Sequence, residues 1–463
     1  MRITVRNLGV LKEATIDLKP LTIFIGPNNS GKTWLAYALA GILGAYGSKK
    51  YIQAYVDKQV PNLYESVNQA VEQVITEGNA TIDLHKLAED YGETYFNEVA
   101  RHAQTWMDTC LGTKLAYFND LNISLALAET KTQFLDQISQ YSGRSDIGPQ
   151  GLLLTIRKQP DDNKIFAYTS AEIQNAEEPE EQLEEKIPHE EIREQLVTFV
   201  STALRRSLYA GVFPFPTERT FLITGSANTK ANRSSVQHSV LPAPVNSFTD
   251  MLNIIFRYGT ERKKARERRA HNDAKIKLYI DFAKVLEKQI LVGGVDFSTS
   301  EPDPRREILF QPSQDVSLEI STASSMVKGL SSLVLYLRFF ATSNALLIID
   351  EPEMNLHPEA QAKIIEFLAM LVNAGLNVLF TTHSPYITDH LTNLIKAYDS
   401  DDKEAISNNF FLKRTDAFIA REKVAVYGFG DGTAKDVLDE EGFIDLNTFG
   451  EVSERTSNIY STL

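Results

Sequence analysis

A glycine, four residues, and then Gly31-Lys32-Thr33 make up the most chemically loaded spacing in the chain, within Ile23-Phe24-Ile25-Gly26-Pro27-Asn28-Asn29-Ser30-Gly31-Lys32-Thr33. Glycines let a backbone curl so that successive N–H groups point at phosphate oxygens, and a helix opening at the loop adds its positive end. Lys32 is then suited to the β and γ phosphates of a nucleoside triphosphate, and the Thr33 hydroxyl to Mg²⁺. A second chemical stretch is Ala345-Leu346-Leu347-Ile348-Ile349-Asp350-Glu351-Pro352, an apolar run ending in two carboxylates. Asp350 is suited to holding Mg²⁺, and Glu351 to orienting and polarising an attacking water. A third is Thr381-Thr382-His383-Ser384, whose histidine follows another apolar run and is suited to sensing a γ phosphate.

These groups need elements that bring them to one place. A short apolar strand, Leu21 to Ile25, precedes the glycine loop and a helical run from Trp34 to about Tyr46 follows it. That setting argues against a glycine-rich turn without a ligand. The run ending at Asp350 is apolar throughout, as a parallel strand buried on both faces is, and such folds place ligands at the C-terminal ends of their strands. A helix from Pro358 to Asn373 and a turn at Gly375 lead to the strand that ends before His383. The expected class is α/β.

Composition sets the outer limits. The chain has 463 residues, too many for one simple core, with hydrophobic and charged contents of 43% and 23% that suit an ordinary soluble globular protein. Its single cysteine, Cys110, excludes an internal disulfide and a cysteine-based metal cluster, and suits a reducing compartment such as the cytoplasm. The alternating start Met1-Arg2-Ile3-Thr4-Val5 reads as a strand rather than a signal peptide, and Arg338 interrupts the most apolar stretch, so no membrane span is expected. The net charge of −14 is unevenly spread. Residues 171–195 carry ten glutamates against Lys186 and Arg193, whereas residues 257–277 carry nine lysines and arginines against Glu261, Glu267 and Asp273. Two readings stay open for each: a solvated face or an acidic partner surface for the first, and a solvated helix or a phosphate-backbone contact through Arg262–Arg269 for the second.

In chain order, residues 2–18 alternate around Asn7-Leu8-Gly9 as a hairpin. Helical spacing dominates residues 47–145, although Leu121, Ile123, Leu125 and Leu127 fit a strand as well as a helix. A hairpin is expected near 152–169 around the turn Gln159-Pro160-Asp161-Asp162-Asn163, and a helix from about Glu191 to Leu208. Two prolines make Val212 to Leu222 extended, an edge strand or ordered loop, in which Arg219 either joins an ion pair or faces the nucleotide. Residues 225–246 read as a mobile loop, Phe248 to about Leu291 as one basic helix, and Glu307 to Gln311 with Val316 to Ile320 as strands.

The glycine loop with Asn28-Asn29-Ser30, the segment Asp350-Glu351-Pro352-Glu353-Met354-Asn355-Leu356-His357-Pro358-Glu359-Ala360-Gln361 and the Thr382-His383-Ser384 triplet resemble the ABC-type ATPases of the AAA class. The resemblance is to the branch of RecF, the structural-maintenance-of-chromosomes heads and the ATPase half of OLD-family nucleases. It covers residues 1–46 and 305–400 well, and Phe215-Pro216-Thr217-Glu218-Arg219 is similar to a proline-glutamate-arginine strand found in some of these proteins. It implies a P-loop NTPase head split between 1–46 and 301–463 by a mainly helical insertion, 47–300, which holds the hairpin near 152–169 and a strand near 212–223. It also implies ATP with Mg²⁺, and pairing of two heads around two nucleotides, each completed by a signature loop of the other. The place of that loop is held by Ser321-Thr322-Ala323-Ser324-Ser325-Met326-Val327-Lys328-Gly329, with Ser324 and Ser325 the contacting residues, although the usual glycine pair is missing.

The function expected is therefore ATP hydrolysis by a homodimer or higher homo-oligomer, coupled to DNA-related work, repair or antiphage defence, through a separate effector protein. An OLD-like endonuclease is the alternative, but Asp431, Asp436, Asp439, Glu440 and Glu441 lie too close together to supply its metal-binding domain. A transporter subunit fits less well, given the insertion and the Leu356-His357-Pro358 loop. A nucleotide switch with little turnover, acting on a protein partner, also stays open.

Overall fold

The computed structural model describes residues 1–60, 65–114, 118–148, 152–171, 187–225, 241–298 and 307–445. Most of the acidic stretch and of the loop expected at 225–246 lie outside these residues. The chain divides into two compact units, one of Met1–Ile3, Gly41–Trp106 and Asn122–Ala210, the other of Thr4–Ala40, Met107–Leu121 and Gly211–Leu463.

The second unit is built on a sheet whose strands run, side by side, Arg2–Leu8, Leu11–Asp17, Thr433–Asp436, Val424–Gly430, Leu21–Ile25, Asn377–Thr382, Leu346–Asp350 and Val212–Phe215. The last five are parallel. Leu21–Ile25 and Leu346–Asp350 are buried at every position, as sequences apolar but for Thr22 and Asp350 require of strands covered on both faces. Because the strands run the same way, the phosphate loop, the two carboxylates and His383 emerge at one end of the sheet, with Asp350 opposite Thr381 in the register.

The edge strand Val212–Phe215 pairs with Leu346–Asp350, so the chain from Gly211 onward packs with the head rather than with the helical region in which 47–300 was expected to lie. Pro214 sits at this sheet edge, where a missing N–H is tolerated. The extended segment is shorter than expected, since a helix, Arg219–Gly225, begins two residues after Thr217. It packs on the helix Ser325–Phe339.

The single basic helix expected from Phe248 to Leu291 is three segments, Ala243–Ala270, Ala274–Val285 and a π-helical turn, Leu286–Leu291. Asp273 is the reason for the first break: its carboxylate accepts the N–H groups of Lys275 (2.9 Å) and Ile276 (3.2 Å) and caps a new helix. The strands expected near 307 and 316 form an antiparallel three-stranded sheet, Gly294–Phe297, Ile308–Ser313 and Val316–Glu319.

The first unit has helices at Ala45–Val56, Glu65–Glu77, Leu84–His102 and His189–Leu208, packed around the rings of Tyr51, Tyr55, Tyr95 and Phe96. The Leu121–Leu127 alternation is a strand, Asn122–Ala126. The expected hairpin is the centre of a four-stranded antiparallel sheet, flanked by Asn79–Asp83 and Gly143–Ile147. Lys158 is buried there and donates to the carbonyls of Ser139, Tyr141 and Gln159 at 2.8, 2.8 and 3.0 Å, which satisfies all three of its ammonium protons.

Candidate functional site

The phosphate loop has the backbone its glycines allow. Gly26 has φ +139° and Gly31 φ +96°, and a Cβ on Gly26 would lie 2.4 Å from the Phe429 carbonyl oxygen. Pro27, Asn28 and Asn29 are exposed, Asn29 at φ +62°, and the helix Lys32–Leu43 starts directly behind them. The Lys32 ammonium lies across the loop, donating to the carbonyls of Gly26 (2.9 Å) and Pro27 (2.8 Å), with the Ser30 hydroxyl at 3.5 Å. Burial lowers its pKa to about 8, against the pull of Glu351, Asp350 and Glu353.

Asp350 ends its strand almost fully buried. One carboxylate oxygen accepts from the hydroxyls of Thr381 (2.5 Å) and Thr33 (3.0 Å). Burial raises its pKa, the two hydroxyls act the other way, and the nearby Glu351 raises it further. A carboxylate joined to a threonine hydroxyl is an oxygen donor set that fits a hard divalent cation such as Mg²⁺.

Glu351 follows in a left-handed conformation, φ +48°. Its N–H donates to the Thr381 hydroxyl at 3.1 Å, and its carboxylate lies 3.5 Å from the His383 Nε2. Burial first, and then the charge of Lys32, lower the His383 pKa.

A cavity of about 680 Å³ is lined by Asn28, Asn29, Ser30, Gly31, Lys32, Thr33, Glu351 and His383, together with Val10 and Trp34. The structure thus gathers the expected loop, carboxylate and histidine groups around one space, with Asp350 behind Thr33. Ser324 and Ser325 are not among the lining residues. They are exposed at the start of the helix Ser325–Phe339, where the Ser324 hydroxyl accepts the Val327 N–H at 3.3 Å.

Arg219 does not face the cavity. It is 2% exposed, and its guanidinium donates to the backbone carbonyls of Pro216 (3.0 Å), Asp350 (2.6 Å) and Glu351 (2.6 Å), an arrangement that is neither the ion pair nor the nucleotide-facing arginine left open by the sequence. Of the basic residues at 262–269, Arg266 is buried and donates to the Ala341 carbonyl at 2.5 Å, and Arg262 stacks over Phe340 with 4.7 Å to the ring centroid. Lys263, Lys264, Arg268 and Arg269 are exposed.

Five contributors were missed in the sequence. Val10 and Trp34 line the cavity, and the turn glycine Gly9 rests on the Trp34 ring, 2.3 Å from where its Cβ would stand. Thr381 bridges the two strand ends, and the Glu353 carboxylate accepts from the Thr382 hydroxyl and the His383 N–H, both at 2.7 Å. Burial raises the Glu353 pKa. A polar side chain within three residues of each strand end was the available signal, but which ends are neighbours depends on strand order.

Among the described residues no helix is long and apolar enough to cross a membrane. No curated protein matches the chain. Solved structures that match include the SMC head bound to the C-winged helix domain of ScpA (12% identity, TM-score 0.37, covering 97% of this chain and 98% of that one). Another is the SMC head with an extended coiled coil bound to the C-terminal domain of ScpA from Pyrococcus furiosus (12%, 0.35, 98% and 98%). A third is the SMC head domain from Thermotoga maritima (9%, 0.30, 94% and 97%). A family model described as the AAA ATPase domain matches residues 1–388, and the chain, with its strand, glycine loop and helix leading an α/β P-loop fold, belongs to that family.

Proposed function

We propose that this protein hydrolyses ATP, that two copies pair around the nucleotide, and that the cycle is coupled to DNA-related work through a separate effector protein. The observation that supports this most is the convergence of Lys32, Thr33, Glu351 and His383 on one cavity. The loop N–H groups and Lys32 hold the phosphates. Thr33 and Asp350 would hold Mg²⁺, which when bound would supply positive charge to offset that of the phosphates. Glu351 orients a water and takes its proton as the water oxygen bonds to the γ phosphorus and the bond to the ADP oxygen breaks. His383, whose Nε2 lies 3.5 Å from the Glu351 carboxylate, is placed to donate its Nε2–H to that carboxylate and hold its direction. The exposed Ser324 and Ser325, at a helix N-terminus, suit the γ phosphate of a nucleotide held by a second copy.

The test is ATP turnover by the purified protein with and without double-stranded DNA, beside Glu351→Gln and His383→Ala, with the oligomeric mass recorded. Glu351→Gln is expected to bind ATP, accumulate as a dimer and turn over about 10²–10⁴ times more slowly, and His383→Ala to lose turnover with little change in ATP affinity. Wild-type-like turnover in Glu351→Gln would remove its proposed role. Slow, DNA-indifferent turnover with dimer formation would identify instead a switch acting on a protein.

A further inference from the structure

We propose that Arg219 is a positioning residue for Glu351: it fixes the backbone on which that carboxylate is aimed and thereby sets the turnover rate. A buried cation is ordinarily met by a carboxylate, because desolvating it is expensive. Among the described residues the Arg219 guanidinium instead donates its hydrogen bonds to main-chain carbonyls, those of Pro216, Asp350 and Glu351. The last two carbonyls belong to the two peptide planes that flank the Glu351 Cα. The first of those planes is held on its other side too, by the Glu351 N–H bonded to the Thr381 hydroxyl.

Those planes are where support is needed. The ladder with Asn377–Thr382 ends at Asp350, and the next residue departs into φ +48°, a conformation that a residue with a Cβ holds only when its surroundings impose it. With both flanking planes fixed, the Cα–Cβ direction of Glu351 is fixed, and this puts the carboxylate 3.5 Å from His383 at the cavity wall. A planar guanidinium suits the task, since its rigid fork reaches two successive carbonyls at 2.6 Å each, and an ammonium has no such fork. A competing role for Arg219, simple neutralisation of Asp350, Glu351 and Glu353, would be served by any cation.

The inference rests on the hydrolysis reading only for its kinetic consequence. The experiment compares wild type, Arg219→Lys and Arg219→Gln by hydrogen exchange at the amides of Glu351, Glu353 and Met354, by affinity for a fluorescent ATP analogue, and by kcat and KM for ATP. Arg219→Lys is then combined with Glu351→Gln. Amide exchange at least about tenfold faster is expected in both single variants. Analogue affinity and KM should stay within about threefold of wild type, while kcat falls about 10- to 100-fold, the scale of a misplaced catalytic group. In the Glu351→Gln background Arg219→Lys should cost nothing further. Wild-type exchange and turnover in Arg219→Lys would show that only the charge matters and overturn the proposal. So would a loss that multiplies with that of Glu351→Gln. If wild type turns over no ATP, the hydrolysis reading fails by itself, and the exchange rates decide the positioning role, unchanged rates refuting it. Should Arg219→Gln fail to fold, the lysine variant, which keeps the charge and most of the bulk, carries the test.

Discussion

In the proposed function Lys32 meets phosphate as an ammonium, but burial has brought its pKa down to about 8, so the charge is lost within an accessible pH range. Below that pH the ammonium is present in the free protein, and above it a growing fraction must be protonated before phosphate is bound. ATP affinity is therefore expected to be flat up to about pH 8 and then to fall by up to about tenfold per pH unit. Titrating a fluorescent ATP analogue between pH 7 and 9.5 checks this, and affinity unchanged through pH 9.5 would refute it. The placement of Lys32 and Thr33 at the cavity was legible because one loop of consecutive residues carries them. Asp350, Glu351 and His383 were legible because each terminates an apolar strand. Arg219 was not, since its partners at Asp350 and Glu351 lie 131 and 132 residues away and are backbone atoms, which leave no mark in a sequence. The same applies to Thr381 and Glu353, whose importance arises only once two strand ends are neighbours.

The elements were readable where periodicity was strong, as in the buried strands Leu21–Ile25 and Leu346–Asp350 and the helix Pro358–Asn373, which begins at the expected proline and ends at the expected asparagine. They were misread where one capping residue outweighed a pattern. Helical spacing continues across His271-Asn272-Asp273, yet the Asp273 carboxylate binds two backbone N–H groups better used to start a new helix than to extend the old one. The flanking strand Gly143–Ile147 escaped because it is a polar edge with no buried position. At this scale Gly26 carries a sharp prediction. Gly26→Ala would place a methyl carbon 2.4 Å from a main-chain oxygen of the adjacent strand, at φ +139°, so either the loop or the strand Val424–Gly430 must move. The strained conformation alone costs about 1–3 kcal/mol, and the clash adds to it. Thermal unfolding should report a lower midpoint and ATP-analogue binding should be lost. A variant that binds normally would show that the loop does not depend on this close approach.

The whole molecule carries a net charge of −14, so a polyanion can be attracted only by a local surface of opposite sign. Strand order decided much that was hidden at this scale: pairing of Val212–Phe215 with the carboxylate strand brings the chain from Gly211, and hence the basic helix, into the head. Side-chain direction then divides that helix. Arg262 and Arg266 serve Phe340 and the Ala341 carbonyl, which leaves Lys263, Lys264, Arg268 and Arg269 as its exposed cations between 262 and 269. If these four neutralise DNA phosphates, replacing them all with glutamate should abolish binding to double-stranded DNA at physiological salt. Replacing them singly with alanine should make the dependence of log affinity on log salt shallower by about 0.9 for each phosphate left without its cation. Turnover without DNA should stay as in wild type, because none of the four lines the cavity. Charge reversal that leaves DNA affinity and its salt slope unchanged would make this helix a solvated face, and the nucleotide cycle would then act on a protein partner.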